Sequence, residues 1–431
     1  MFNQIIGKLL VTTTAVALAT AFSAAANASE LEDLQLMLQQ QAAQVEALTQ
    51  LVSELSQKIE ANDVKASAAE DHAKQAKVAA DDAAKSIGSA DKIKWAEKIK
   101  WAGDFRYRYE NIDDASKSED RNRSRIRARA ALTADVSDNV QVGLGLATGG
   151  DDPVSTNQTL GGGGSTKGIN LDLAYFDWTV MPGLKVVGGK FKTILQRAGK
   201  NGLLWDSDWN PEGLGLRYDN DNFFATALGT WLESDSTKDD TEFSYGIQGG
   251  VKTTVGEWKV TAGLGYYDIS TAGKGTFFGD DDDFSGNSFD PVTNTYLFDY
   301  TEIEGFIDLG FKVLDKPLSI FADYVKNTDA GEFDTGYAVG VKLGAAKKQG
   351  TWQGAYIYQD LEADAVLGLL TDSDFAGGGT DGKGHIFKAA YALSNQTALK
   401  VTYFLTEKDE NANGFATDFD RLQLDIQFKY K

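Results

Sequence analysis

The chain has 431 residues, with 42 Lys and Arg against 63 Asp and Glu, and a formal net charge of −21. This negative balance argues against nucleic-acid binding, because nucleic acids are polyanions that bind basic surfaces. Cysteine is absent, so neither a disulfide framework nor a thiolate metal site can form. Glycine is frequent at 45 residues and proline is rare at 5, a mixture that suits long antiparallel strands with glycine-rich connections.

Residues 1–28 are predicted to be a signal peptide. A short cationic start, Met1–Lys8, precedes an apolar and small-residue run, Leu9–Ala26. Ala26-Asn27-Ala28 has the small residues of a cleavage site, so we expect cleavage after Ala28. A transmembrane anchor is the weaker alternative, because the run is rich in Thr and Ala and lacks a basic flank. No other stretch is long and apolar enough for a transmembrane helix, so a role in the bilayer must come from strands.

Residues 29–94 are predicted to form a coiled-coil helix in the periplasm, because apolar residues recur at every seventh position. One seam position holds Leu31, Leu38, Val45, Val52 and Ile59, and the other holds Leu34, Gln41, Leu48, Leu55 and Asn62. The register continues into an alanine-rich stretch. A single helix could not bury this seam, so we expect self-association. Val and Ile at one position with Leu at the other favour two strands.

From residue 95 to 431 the pattern changes to strict alternation. Phe105, Tyr107 and Tyr109 alternate with Arg106 and Arg108. One face of each such segment is apolar and the other polar, as in β-strands with a single apolar side. Sixteen segments of this kind are centred near residues 106, 128, 143, 173, 188, 216, 228, 247, 262, 306, 321, 340, 355, 389, 402 and 426.

Short turns and long loops connect these segments in alternation. The short turns are near residues 135–139, 181–184, 219–222, 254–257, 314–317, 345–349 and 394–397, and the long connections include 148–168, 192–212, 268–299 and 360–384. A soluble β-sandwich also has alternating strands. The rhythm of connections, the aromatic residues near strand ends and the export signal together favour an all-β transmembrane barrel of about 16 antiparallel strands.

The barrel segment resembles the putative porin family of Gram-negative outer membranes, in which a coiled-coil N-terminus precedes a β-barrel porin. The resemblance is carried by the opening strand 100–109, the arginine-rich segment 121–129 and residues 204–213. It implies an outer-membrane location with the stalk in the periplasm, contact with outer-membrane lipid and lipopolysaccharide, and no cofactor. It also implies homotrimers and passive diffusion of small hydrophilic solutes and ions, whereas the heptads alone leave dimer and trimer open.

Charged side chains on the polar face of the strands are predicted to line the pore. A basic wall on the first two strands comprises Arg106, Arg108, Arg125, Arg127 and Arg129. Candidate carboxylates for a facing acidic wall are Asp104, Glu302, Glu304, Asp308, Asp323 and Asp425. Two opposed walls of this kind would filter solutes by charge. The alternative is that these are ordinary solvated residues with no filtering role.

The third long loop, residues 192–212, is predicted to constrict the pore. Its charged and aromatic candidates are Lys192, Arg197, Lys200, Trp205, Asp206 and Asp208. The apolar residues of the loop would fix it against the inner wall. Alternatively, they cover a neighbouring subunit.

An enzyme is not predicted, because His385 is the only histidine of the barrel segment and no nucleophile–base pair or metal site can be assembled around it. A structural tether is the alternative function, in which the helical stalk makes contact with the cell wall and holds the outer membrane at a set distance from it.

Overall fold

The computed structural model describes residues 98–235, 237 and 241–431, together with 64–78 and, before them, 46, 49, 50, 52–54, 56–60 and 62. The chain divides into two compact units, Met1–Ile93 and Lys94–Lys431. The predicted signal peptide lies outside the described residues, as do 29–45, 79–94 and several scattered positions of the predicted stalk.

In the first unit, every described residue is helical, and 64–78 form an unbroken helical stretch. Its side chains are exposed, and Lys74 Nζ lies 3.0 Å from Glu70 Oε1 one turn away. Among the residues described, no helix is both long and apolar enough to cross a membrane. The stretch 64–78 covers the first part of the alanine-rich half of the predicted stalk, while pairing between helices stays a prediction.

The second unit consists of long antiparallel strands with three two-residue strands, β4, β11 and β12, in its loops. In chain order the strands are β1 (Ile99–Asp114), β2 (Arg121–Asp135), β3 (Val140–Thr148), β4 (Gln158–Thr159), β5 (Ile169–Met181), β6 (Leu184–Lys190), β7 (Glu212–Asp219), β8 (Phe223–Glu233), β9 (Glu242–Val255), β10 (Trp258–Ile269), β11 (Phe289–Asp290), β12 (Thr295–Tyr296), β13 (Tyr300–Val313), β14 (Lys316–Asn327), β15 (Thr335–Gly344), β16 (Trp352–Leu361), β17 (Gly382–Ala392), β18 (Thr397–Lys408) and β19 (Thr417–Tyr430). A short helix, α1 (Glu410–Asn413), precedes β19.

The sheet closes on itself. Each long strand pairs with the next along the chain, and β1 pairs with β19 from Gly103 opposite Tyr430 to Asp114 opposite Phe419. Closure satisfies the backbone hydrogen bonds of both terminal strands, which a sheet in lipid requires. Each of the sixteen predicted centres falls within a long strand, so the prediction of a 16-stranded antiparallel barrel is confirmed.

Because side chains alternate along each strand, successive residues point to the outer and the inner surface of the barrel. On β1, Phe105, Tyr107 and Tyr109 are exposed on the outer surface, while Arg106 and Arg108 are buried on the inner one. Aromatic and aliphatic side chains on the outside of a barrel suit contact with lipid.

Two long connections fill part of the barrel interior. Residues 191–211, here called loop 3, join β6 to β7, and residues 362–381, called loop 7, join β16 to β17. Their apolar side chains form one buried cluster with inward-facing residues of the wall, including Phe224, Phe306 and Phe321. The main apolar core is therefore inside the barrel, between the loops and the wall.

Candidate functional site

Strands β1 and β2 place the five arginines of the predicted basic wall on the inner surface of the barrel. In the register of these strands, Arg106 lies opposite Arg127, and Arg108 lies opposite Arg125. Adjacent strands are about 4.8 Å apart, so the guanidinium groups form a continuous patch. Like charges at this spacing repel one another, so the patch requires carboxylates or solvent anions beside it.

Asp104 and Asp425 lie inside this arginine patch. Asp104 accepts hydrogen bonds from Arg127 Nη2 and Arg129 Nε, each at 2.8 Å. Asp425 accepts two from Arg108, at 2.7 and 3.0 Å, as a bidentate pair. The sequence prediction placed both carboxylates on an acidic wall facing the arginines. Asp104 is instead on β1 itself, opposite Arg129 of β2, and Asp425 is on β19, which closure of the barrel makes a direct neighbour of β1.

A third carboxylate of the patch is Glu110, which is fully buried. Its oxygens lie 2.5 Å from Arg123 Nε, 3.3 Å from Arg108 Nη1 and 3.7 Å from Arg125 Nη1. The sequence prediction gave Glu110 no role, although alternation along β1 puts it on the same face as the arginines of that strand.

Loop 3 lies along the inner wall formed by β9, β13 and β14. The backbone N–H of Gly199 donates to Asp308 Oδ2 at 3.0 Å, and Asn201 Nδ2 donates to Asp323 Oδ2 at 2.7 Å. Gln248 of β9 accepts a further bond from the backbone of the loop at Gln196. These bonds hold the loop inside the barrel at three strands, of which β13 and β14 are adjacent and β9 is separated from β13 by β10.

Apolar side chains add to the attachment of loop 3. Leu203 is 0% exposed, Leu204 3% and Trp205 5%. The Trp205 ring stacks on Trp209 at 4.8 Å and meets the edge of Tyr267 at 5.0 Å. Burial of each large side chain contributes about 2 kcal/mol. These side chains are thus covered within the barrel of their own chain.

The four remaining carboxylates of the predicted acidic wall belong to the wall that the loops cover: Glu302, Glu304, Asp308 and Asp323. Glu302 accepts from the backbone N–H of Leu367 in loop 7 at 3.0 Å, and Glu304 accepts from Tyr267 Oη at 2.6 Å. Glu302, Glu304 and Asp323 are at most 3% exposed. They therefore lie beneath the loops and not on an open pore surface, which differs from the prediction.

Loop 3 and loop 7 each deliver a carboxylate to the arginine patch. Asp208 of loop 3 lies 3.0 Å from Arg129 Nη1. Asp374 of loop 7 lies 2.9 Å from Arg108 Nη1 and 2.6 Å from Arg421 Nη1. Sequence reasoning did not assign a role to Asp374 or Arg421.

These two carboxylates end a repeated tripeptide, since Asp206-Ser207-Asp208 and Asp372-Ser373-Asp374 have the same sequence. The loops are joined where the repeats meet. The N–H of Ser373 donates to Asp206 Oδ2 at 3.1 Å, and the N–H of Asp372 donates to the carbonyl of Gly202 at 3.1 Å. The repeat was the one sequence signal that could have linked loop 7 to loop 3.

The aspartates of the repeats have opposite electrostatic surroundings. Burial alone would raise the pKa of Asp374, but Arg108 and Arg421 outweigh it and hold that pKa well below its usual range. Among the described residues, no arginine is hydrogen-bonded to Asp206, whose oxygens accept from the backbone N–H groups of Asp208 and Ser373. Burial, together with the charges of Asp372 and Asp208, raises the pKa of Asp206 to about 8. Asp206 is therefore largely protonated at neutral pH.

The arginine patch, the inner faces of β16 to β19 and the two loops enclose a cavity of about 630 Å³, here called the central cavity. Eleven basic residues line it against five acidic ones. The basic residues are Arg106, Arg108, Arg127, Arg129, Lys192, Arg197, Lys200, Lys347, Lys388, Lys400 and Lys429, and the acidic ones are Asp206, Asp208, Asp372, Asp374 and Asp425. A chain with a net charge of −21 thus encloses a positively charged interior.

The sequence matches the model of a protein family described as putative porin over residues 113–275 and 288–430. The chain belongs to this family. It is an outer-membrane porin, a β-barrel that forms a water-filled channel for small hydrophilic solutes.

Superposition on one solved structure, OprB, agrees with this barrel fold. OprB of Pseudomonas putida superposes with a TM-score of 0.54 at 12% identity, covering 79% of this chain and 96% of that one. OmpF of Salmonella typhi, solved with daunomycin, gives a TM-score of 0.48 at 12% identity, covering 77% and 97%. No curated protein matches the sequence.

The central cavity of the porin contains basic residues that sequence reasoning missed. Lys388 and Lys400 lie on the inner faces of β17 and β18, and Lys429 lies on β19 opposite Asp104. These lysines are widely spaced in the sequence, whereas the arginines form a dense run that stands out. Alternation could have placed these lysines inside, but their convergence depends on the order of strands around the barrel.

Proposed function

We propose that the porin prefers anions and selects them in the central cavity. The observation that carries this proposal is the excess of eleven basic over five acidic residues around the cavity. Rings of charged side chains set the ion selectivity of many pores, because the local potential enriches ions of opposite sign. Four of the five predicted wall arginines line the cavity, all except Arg125. Asp104 and Asp425 neutralise part of their charge, so the lysines carry much of the excess.

Loop 3 is proposed as the constriction of the channel. Its predicted residues that line the cavity are Lys192, Arg197, Lys200, Asp206 and Asp208. Trp205 is instead buried among the apolar side chains that hold the loop against the inner wall. Solutes then pass between the loop and the arginine patch.

A salt gradient across a planar bilayer tests the proposed preference. With purified full-length porin and a tenfold KCl gradient, we expect the reversal potential to have the same sign as the equilibrium potential of chloride. A potential of the opposite sign, or a potential near zero, would contradict anion preference.

Raising the pH is expected to weaken this preference as Asp206 ionises. The folded-state pKa of Asp206 lies above its ordinary value of 3.8, so folding favours the neutral form of this carboxyl. The resulting stabilisation of the junction between the two loops is fully present below about pH 4. It is lost as the pH rises through about 8. The new negative charge also enters the cavity lining. The measurement is the reversal potential between pH 6 and 9, and Asp206→Asn should flatten its pH dependence; an unchanged profile in the variant would show that another group titrates.

The assembly is proposed to be a homotrimer, as the family resemblance implies for the barrel. Chemical cross-linking of the protein in native outer membranes is expected to stop at three subunits. A ladder that stops at two would instead favour the pairing suggested by the heptads.

A tether is kept as a second function of the N-terminal segment, because the heptad pattern continues through 66, 69, 73 and 76 and residues 64–78 are helical. In this proposal the segment 29–94 is a periplasmic coiled coil that reaches the cell wall once the signal peptide is removed. Isolated cell wall should retain the full-length porin in detergent but not a variant lacking 29–94; equal retention would exclude the tether.

A further inference from the structure

Two separate groups of basic side chains line the central cavity from different elements. The wall group is Arg106, Lys388 and Lys400, on β1, β17 and β18. The loop group is Lys192, Arg197 and Lys200, on loop 3. Both groups belong to one cavity of about 630 Å³, a size suited to a small organic solute with its water.

The wall group is a band at one level of the barrel. Lys400 lies opposite Asp425 in the pairing of β18 with β19. The next inward residue of β19, Gln427, lies opposite Arg106 in the pairing of β19 with β1. On the other side of β18, Lys388 lies opposite Thr402, two residues along from Lys400. With about 4.8 Å between strands, the band spans the inner surface of four neighbouring strands.

Arg106 is the least neutralised arginine of the patch. Its Nη2 donates to Asn157 of the loop after β3, and its nearest carboxylate oxygen, on Asp425, is 4.0 Å away. The residue is 9% exposed, and within the described part of the chain its Nε has no hydrogen-bond partner. By contrast, Arg108 has two carboxylates within 2.9 Å.

In the described part of the chain, the lysines of both groups also have no carboxylate in ion-pair contact. Among the described residues, no carboxylate oxygen lies within 4.0 Å of the amino groups of Lys388, Lys192 or Lys200. Lys400 donates only to the amide oxygen of Gln427, at 2.5 Å. Arg197 is fixed by donating to the carbonyl of Trp205 at 2.8 Å. Positive charge gathered around one cavity is stabilised by an anion that contacts both groups.

We infer that the central cavity binds small organic dianions, with one anionic group at Arg106, Lys388 and Lys400 and the other at Lys192, Arg197 and Lys200. This inference rests on the proposed anion preference and adds a substrate class, namely solutes with two carboxylates, or a carboxylate and a phosphate, separated by a short carbon chain. A monoanion contacts one group at a time, and a neutral solute of the same size makes no charge-assisted contact with either group.

Current block in planar bilayers tests the inference with full-length porin in KCl. Succinate is added as the dianion, acetate as the monoanion and glycerol as the neutral solute. We expect succinate to reduce the chloride current at concentrations at least about tenfold below those of acetate, and glycerol to have no comparable effect, since two charge-assisted contacts replace one.

Variants of both groups locate the binding site. Arg106→Gln and Lys200→Gln should each raise the half-blocking succinate concentration by roughly fivefold while changing acetate block little, because each removes one of two charge-assisted contacts. Lys252→Gln is the matched control, because Lys252 faces inward on β9, pairs with Asp219 and does not line the cavity. Equal block by succinate and acetate, or equal effects of all three substitutions, would overturn the inference. The proposed anion preference would survive that result if the reversal potential in KCl kept its sign, so the two failures are distinguishable.

Discussion

Replacing Arg127 and Arg129 together by glutamine is expected to shift the reversal potential of the porin strongly towards cations. Asp104 accepts its two 2.8 Å hydrogen bonds from these arginines, and Asp208 lies 3.0 Å from Arg129. The double variant therefore removes two positive charges and also exposes two negative ones. Two unit charges 4 Å apart interact by about 1 kcal/mol even in water, a factor of about five in local ion concentration. The anion-to-cation permeability ratio should fall severalfold.

The opposite change provides the control for this experiment. Asp104→Asn keeps the shape of the side chain but removes the negative charge that neutralises the same two arginines. The reversal potential should therefore move further towards anions. Lys252→Gln, which removes one inward-facing charge outside the central cavity, should leave the potential nearly unchanged. If the double arginine variant behaves like Lys252→Gln, the arginine patch does not set selectivity.

The barrel could be predicted from the sequence because its signal is local. Each strand of β1 to β19 that crosses the membrane alternates with period two, and a shift of one residue would put an arginine such as Arg106 in lipid and an aromatic ring such as Tyr107 in the pore. Short turns and long loops then fix which ends of the strands lie together. The same reasoning put the five wall arginines on one surface, since two adjacent strands of a hairpin need no further information to meet.

The partners of those arginines could not be predicted in this way. Asp425 is more than 300 residues from Arg108 in sequence, and the two meet only because the barrel closes. Glu302 and Glu304 have the inward periodicity of lumen residues, yet loops 3 and 7 cover them. Coverage depends on how long loops fold back, which depends on nonlocal contacts such as that of Asn201 with Asp323. Glu302, Glu304 and Asp323 therefore lie under the loops and not on the open acidic wall that the sequence predicted.

Replacing Leu203 and Leu204 of loop 3 together by aspartate is expected to release the loop and raise single-channel conductance severalfold. These side chains are 0% and 3% exposed in the apolar cluster inside the barrel. Burying an unpaired carboxylate there costs several kcal/mol, which exceeds the roughly 2 kcal/mol that each leucine contributes. The cost is avoided if the loop leaves the wall, because the strands keep their own hydrogen bonds.

With the loop displaced, Lys192, Arg197 and Lys200 leave the central cavity, so anion preference should fall as conductance rises. Leu160→Asp is the control, because Leu160 is 40% exposed in the loop after β3 and can take a charge without moving. Circular dichroism of the double variant should retain the β-sheet signal, which separates loop release from failure to fold. A well-folded double variant with the conductance and selectivity of the unmodified porin would mean that loop 3 does not constrict the channel, because a loop that sets the narrowest section cannot move without changing both quantities.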